Sequence, residues 1–253
     1  MLLPLLSGCL DYGLTTAAPA DSAPADSALA ALDAADSGDS GALVANPDLA
    51  TPDLTVEVDA ARCGKYLPAA GHSSRYEVHD PALGDGAAKV LALGVVDLDG
   101  RKVWATQELG RAMKDGQVRE WNVLSYHSCA GGLRLLAIEA DYDYPVGGGV
   151  VSRTFEPPLL VYPADLAAGA VWDYRSTVTE EHEDFVRSWQ IDAVRSAEAR
   201  AGGLTMTERH ADGRANVFEL ASDLSVERGP DRELTARHDT DLQAFDRSSR
   251  TPL

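Results

Sequence analysis

The chain predicts a mostly β fold: an antiparallel curved sheet or half-barrel, or two similar β meanders, following a disordered N-terminal tether. Three observations lead there. Apolar strand-like runs alternate with Asp-Gly and Gly-Gly turns from Lys89 onward. Helical periodicity is absent, since its one candidate, Gln107 to Met113, is short and is bounded by glycines. The N-terminal stretch differs in composition from the rest, being Ala, Asp, Ser, Pro and Gly with no Lys or Arg before Arg62.

The tether runs over residues 9–58 and repeats itself. Ala-Pro-Ala-Asp-Ser occurs at 18–22 and 23–27, and Pro-Asp-Leu at 47–49 and 52–54. Low hydrophobicity with charge of one sign cannot bury enough apolar area to offset the entropy of ordering, so the segment is expected to be disordered. The β domain is expected over 59–253, with halves at 59–156 and 157–253.

Its strands follow in order. Lys89 to Val96 and Arg101 to Thr106 flank Asp97-Leu98-Asp99-Gly100 as a hairpin. Val118 to Tyr126 and Leu133 to Ala140 pair around Cys129-Ala130-Gly131-Gly132. Trp172 to Val178 and Phe185 to Val194 flank the acidic run Glu180-Glu181-His182-Glu183-Asp184. In the second of these, Phe185, Trp189, Ile191 and Ala193 alternate with Val186, Ser188, Gln190 and Asp192, the pattern of a half-buried strand. Leu204 to Arg209 and Asn216 to Leu220 straddle Ala211-Asp212-Gly213, and a last strand lies at Leu224 to Glu227 or Glu233 to Arg237.

An internal repeat links two strand openings. Leu67-Pro68-Ala69-Ala70-Gly71 precedes Tyr76, and Asp165-Leu166-Ala167-Ala168-Gly169 precedes Trp172 and Tyr174; the spacing from each Gly to its Tyr is the same. This predicts that Tyr76 and Trp172/Tyr174 hold equivalent places in two related meanders. Chance in an Ala/Gly-rich chain is the competing reading.

Charge narrows the partners. Residues up to 61 hold ten acids and no base, and the remainder 30 acids against 22 bases, within a net −18. A net-acidic domain lacks the basic stripe that nucleic acid needs. It would also be repelled by anionic lipid surfaces.

The run Leu6-Ser7-Gly8-Cys9 resembles the lipobox of bacterial lipoproteins. In that family the segment before the Cys is removed and the sulfur carries a diacylglycerol. The resemblance implies that residues 1–8 are a signal-peptide remnant, that Cys9 is lipidated, and that this lipid is the membrane attachment. Met1 to Leu6 contains no Lys or Arg, so the basic start of such a signal is expected upstream. Lipoproteins with Asp directly after the Cys tend to stay in the inner membrane. Leu10 stands there here, which implies the outer membrane, with the domain periplasmic or surface-exposed. The stretch Pro157-Pro158-Leu159-Leu160-Val161-Tyr162-Pro163, then Gly169 and Trp172-Asp173-Tyr174, resembles uncharacterised Gram-negative β-rich lipoproteins, loosely similar to lipoprotein-carrier half-barrels. Tyr66-Leu67-Pro68 with Gly71 and Tyr76 looks like a second copy, with Ser74 where Trp is expected. The resemblance carries no catalytic residues.

With Cys9 lipidated, Cys63 and Cys129 remain. An oxidising envelope permits a disulfide between them, and two free thiols is the alternative. No residue pattern demands chemistry. The acidic run at 180–184 reads as a solvated hairpin tip rather than a metal site. Asp97-Leu98-Asp99-Gly100 is explained by its turn and lacks the later ligands of a calcium loop. Asp141-Tyr142-Asp143-Tyr144 reads as a connector or a sugar-facing loop. His127-Ser128-Cys129 has no orienting partner to make a nucleophile. Trp104, Trp121, Trp172 and Trp189 read as core. The expectation is therefore a non-catalytic protein without cofactor or metal. It either binds a ligand at residues the sequence does not name, or acts as a structural or interaction lipoprotein without a cavity; an envelope hydrolase is a third reading.

Intact-mass analysis of a native membrane fraction should show a chain beginning at acylated Cys9. A protein lacking residues 10–58 should melt within about 1 °C of the mature chain, because a tether that buries nothing contributes nothing to stability.

Overall fold

The computed structural model describes residues 63–144 and 148–239. The lipobox, Cys9 and the predicted tether lie outside them. The described chain is antiparallel β throughout, and the expected curved sheet closes on itself. Twelve strands form one barrel in which each pairs with its sequence neighbour and the first pairs with the last.

In chain order these are β1 (His72–Asp80), β2 (Gly84–Leu98), β3 (Arg101–Lys114), β4 (Gln117–Ser128), β5 (Gly132–Asp143) and β6 (Gly149–Pro163). Then come β7 (Val171–His182), β8 (Phe185–Arg200), β9 (Gly203–His210), β10 (Ala215–Ala221), β11 (Val226–Arg228) and β12 (Arg232–Asp239). The four hairpin turns read from the sequence are the β2–β3, β4–β5, β7–β8 and β9–β10 connections. Gln107 to Met113 continues β3, paired with Val118 to Leu124.

Period-two alternation assigns the faces. On β1, Ser74, Tyr76, Val78 and Asp80 turn inward, and on β7 Trp172, Tyr174, Ser176, Val178 and Glu180 do. These residues and their counterparts form one continuous interior cluster that includes Trp104, Trp121, Phe155, Tyr162 and Phe218. Trp121 lies across Gly110, its partner in the β3–β4 ladder, where any Cβ would collide with the indole. A second cluster, Leu91, Leu93, Val103, Ala105, Leu124 and Tyr126, occupies the opposite face of β2–β4. Elsewhere the outer wall carries exposed charges, among them Glu77, Arg111, Glu120, Asp141, Arg175 and Asp192. A lipid-facing barrel wall does not tolerate such charges, so away from the apolar face of β2–β4 the described outer wall is polar.

The strand the sequence reading missed is β6. Its prolines suggest a loop, yet Val151 to Thr154 pairs with both β5 and β7, and Phe155 and Glu156 with β7. Pro157 and Pro158, with no N–H to donate, pair with neither; from Leu159 onward β6 regains β5 but not β7. Side chains close the seam instead. Ser176 Oγ donates to the Pro157 carbonyl (2.8 Å), Trp172 Nε1 to Leu160 (3.3 Å) and Arg195 Nη1 to Val161 (3.3 Å).

The predicted repeat has a structural counterpart. Gly71 and Gly169 both adopt the left-handed conformation, at φ 92° and 88°. Each donates its N–H to an alanine carbonyl of the following strand, Ala92 on β2 and Ala197 on β8. Tyr76 and Tyr174 then occupy buried, inward positions on β1 and β7, the first strands of two six-strand halves.

Before β1, residues 63–71 lie across one end of the barrel. Cys63 is bonded to Cys129 in the β4–β5 turn, with Cα atoms 5.2 Å apart across 66 residues. Tyr66 donates its hydroxyl to Ala164 in the β6–β7 loop (2.9 Å) and packs its ring on Tyr162. A link closing a loop of that length contributes about 3–4 kcal/mol on the chain-entropy account.

Trp172 is buried and pins the β6–β7 seam. Trp172→Ala should therefore cost about 3–5 kcal/mol, read as a shift in the urea unfolding midpoint.

Candidate functional site

Charged side chains are deep in the barrel, and each is neutralised where it lies. Arg195 is fully buried on β8. It donates Nε to Glu208 Oε2 (2.7 Å), adds a second bond from Nη2, and stacks its guanidinium 3.2 Å from the Tyr174 ring centroid. Glu208 Oε1 accepts from Asn216 Nδ2 (3.1 Å) and lies 2.7 Å from His210 Nε2. Burial alone would raise the Glu208 pKa, but the Arg195 charge outweighs it and holds the carboxyl below its usual range. Arg232 on β12 reaches Glu108 on β3 (2.7 Å) and Asp231 (3.1 Å), while Glu108 Oε1 accepts from Trp121 Nε1 (2.7 Å). Burial opposes the Arg232 charge, and the two carboxylates overcome it and raise its pKa.

A third network corrects the sequence reading of 180–184. Glu180 is buried rather than a solvated tip residue. It accepts from Arg153 Nε and Arg187 Nη2, each at 2.6 Å. The turn is confined to Glu183 and Asp184 between β7 and β8. The Asp141–Tyr144 stretch is also not an open loop, since Tyr142 is buried on β5 with Tyr144 packed 5.1 Å from it. These networks pin strands; each salt-bridged guanidinium faces a carboxylate of the same barrel.

Beside them β3 and β4 bring together Trp104, Thr106, Ser125 and His127 on one inward patch. Thr106 Oγ1 lies 3.4 Å from His127 Nε2, whereas Trp104 Nε1, Ser125 Oγ and His127 Nδ1 are buried without a protein partner. Burial drives the His127 pKa down to about 3, so the ring is neutral. Cys129, two residues on, is held in the disulfide.

Concave space lies at the barrel mouth. A cavity of about 380 Å³ opens between the segment before β1, through Gly64, Leu67, Pro68 and Ala69, and the paired ends of β1 and β12. Ser74 faces it from β1, and Arg237 and His238 from β12. Asp223, in the β10–β11 loop, accepts from Arg237 Nη1 (2.9 Å), and Arg237 Nη2 also contacts Ser225 Oγ. Mouths of barrels are common ligand sites, and this volume lies in the range of small-molecule pockets. A smaller cavity of about 190 Å³ lies near the opposite rim, beside Trp189, Ile191 and His210.

Of the residues the sequence singled out, Cys63 and Cys129 come together and fasten the segment that roofs the mouth. Cys9 lies outside the described residues. Reading the sequence assigned no ligand-binding residue; the mouth residues come from the entry segment, β1, the β10–β11 loop and β12, which lie up to 174 residues apart in the chain. The one local sign was Ser74 standing where the second half has Trp172. No family model, curated protein or solved structure matches this chain.

Acid should destabilise the barrel. His127 is neutral when folded, with a pKa near 3, against about 6.5 unfolded. Its contribution is whole above about pH 6.5 and lost as pH falls toward 3, on the order of 5 kcal/mol in all. Glu208, with its folded pKa depressed, adds a loss in the same direction at lower pH. Urea midpoints at pH 7, 5 and 4 should fall in order, and His127→Gln should flatten the upper part of that decline.

Proposed function

We propose that this protein is a non-catalytic binding protein of the bacterial cell envelope, held to the outer membrane by a lipid on Cys9 and taking a ligand in the cleft at the barrel mouth. The observation that carries the reading is the cleft itself. It combines an apolar wall, Leu67, Pro68 and Ala69, with convergent polar groups from β1 and β12, and its wall segment is fastened by a disulfide. The interior, by contrast, is a continuous packed core, so a ligand is accommodated at the mouth rather than inside the barrel. Away from the apolar face of β2–β4 the described outer wall is charged, which accords with anchoring by a lipid on a long tether rather than by the barrel wall.

The packed interior also favours a second reading, a structural or interaction lipoprotein with no ligand. One experiment separates the two. The full chain, purified gently from native membranes, should carry a small molecule in native mass spectrometry that is lost on denaturation. Ala69→Glu, at an exposed position of the cleft wall, should reduce its occupancy at least tenfold with the fold intact. A chain that carries nothing, and whose cleft variants change only a pulled-down protein partner, would establish the structural reading. In parallel, Cys9→Ser should move the protein from the membrane to the soluble fraction.

A further inference from the structure

We infer that the mouth cleft is the place of a missing indole, and that it binds a small molecule carrying a planar ring of about that size. This rests on the reading of the cleft as a ligand site and specifies what fills it.

The inference comes from comparing the two halves of the barrel. Gly71 and Gly169 open β1 and β7 with the same backbone conformation and the same hydrogen bond to the next strand. Counting from each glycine, the fifth residue is a buried inward tyrosine, Tyr76 or Tyr174. The third residue is also inward and buried in both halves, but it is Ser74 in one and Trp172 in the other. In the second half the indole extends from β7 toward the preceding strand and donates to the Leu160 carbonyl of β6. In the first half the strand preceding β1 in the barrel is β12. Its Arg237 and His238 line the cavity together with Ser74. The cavity therefore lies on the β12 side of Ser74, at the barrel end, where β1 and β12 stay paired at Ser74 and Arg237 while β6 and β7 have parted at Trp172.

The lining fits a ring. Among the described residues no Phe, Tyr or Trp lines the cleft, so none of them supplies the aromatic surface that Trp172 supplies in the other half. Leu67 and Pro68 offer an apolar wall to one ring face. On the β12 side Arg237, held by Asp223 and Ser225, presents a planar guanidinium of the kind that stacks on aromatic faces. His238 stands at the edge to meet a polar ring substituent, while Ser74 is hydrogen-bonded to Tyr76.

Indole itself is the probe. Titrated into the full chain and followed by ¹H–¹⁵N NMR, it should give saturable shifts at Leu67, Ser74, Arg237 and His238, whereas cyclohexanol should bind several-fold more weakly. Ser74→Trp should weaken indole binding at least tenfold and raise the melting temperature, because the new side chain occupies the space. If Ser74→Trp does not fold, Ala69→Trp fills the cleft from the opposite wall and should have the same effect on binding. Unchanged indole affinity in a folded filled variant, or shifts located away from the cleft, would overturn the inference. A molecule that copurifies in the cleft but is neither displaced by indole nor blocked by Ser74→Trp would refute the ring and leave the binding function standing. A cleft that takes neither indole nor a copurifying molecule would remove both.

Discussion

Pairing of β1 with β12 is the contact on which the rest of the architecture depends. It turns a meander of sequential hairpins into a closed wall and removes the exposed edges that a curved sheet would present to other chains. Closure also sets the packing problem. A ring of about eight strands has an interior that ordinary side chains fill, and twelve strands enclose more. The inward positions accordingly hold the long and bulky residues of the chain: Trp104, Trp121, Trp172, Tyr76, Tyr162, Tyr174 and the guanidinium groups of Arg195 and Arg232.

Those guanidinium groups are long enough to cross between strands that are not neighbours. Arg232 joins β12 to β3 across two intervening strands, and Arg195 joins β8 to β9 and to the β6 carbonyl that the proline seam leaves unpaired. A buried charge is tolerated only when paired and fully hydrogen-bonded, so each arginine fixes the position of its carboxylate strand as well as filling space. The polar patch of Trp104, Ser125 and His127 lies within the same interior with hydrogen-bonding capacity that no protein group meets, as do the Tyr162 hydroxyl and Asp231 Oδ1. Neutral His127 is compatible with such burial, and a charged one would not be.

Closure also explains why the cleft is at the mouth. A filled interior leaves room only where the strands end and an additional segment crosses them. Residues 63–71 are that segment, tied at one side by Cys63 to the β4–β5 turn and at the other by Tyr66 to the β6–β7 loop. Between these ties and the ends of β1 and β12, the small side chain of Ser74 leaves space that its counterpart Trp172 closes elsewhere.

Antiparallel strands, most hairpin turns and the correspondence of Tyr76 with Tyr174 were legible in the sequence because they are local. Alternation of apolar and polar residues needs a single strand, Asp-Gly turns need four residues, and a repeated Ala-Ala-Gly spacing needs only counting. β6 was not legible, because Pro157 and Pro158 read as a break until the neighbouring strand shows that pairing with β5 resumes beyond them. Glu180 looked solvated for a similar reason, since its partner Arg153 comes from another hairpin. By itself the sequence determined a β domain with polar outward and apolar inward strand faces, and two cysteines within it, Cys63 and Cys129, able to pair. Tertiary structure alone decided that the sheet closes, which charges become buried, and that residues from both ends of the domain meet around one cleft. Those outcomes depend on contacts between residues such as Ser74 and Arg237, or Glu108 and Arg232, which only the closed ladder brings together.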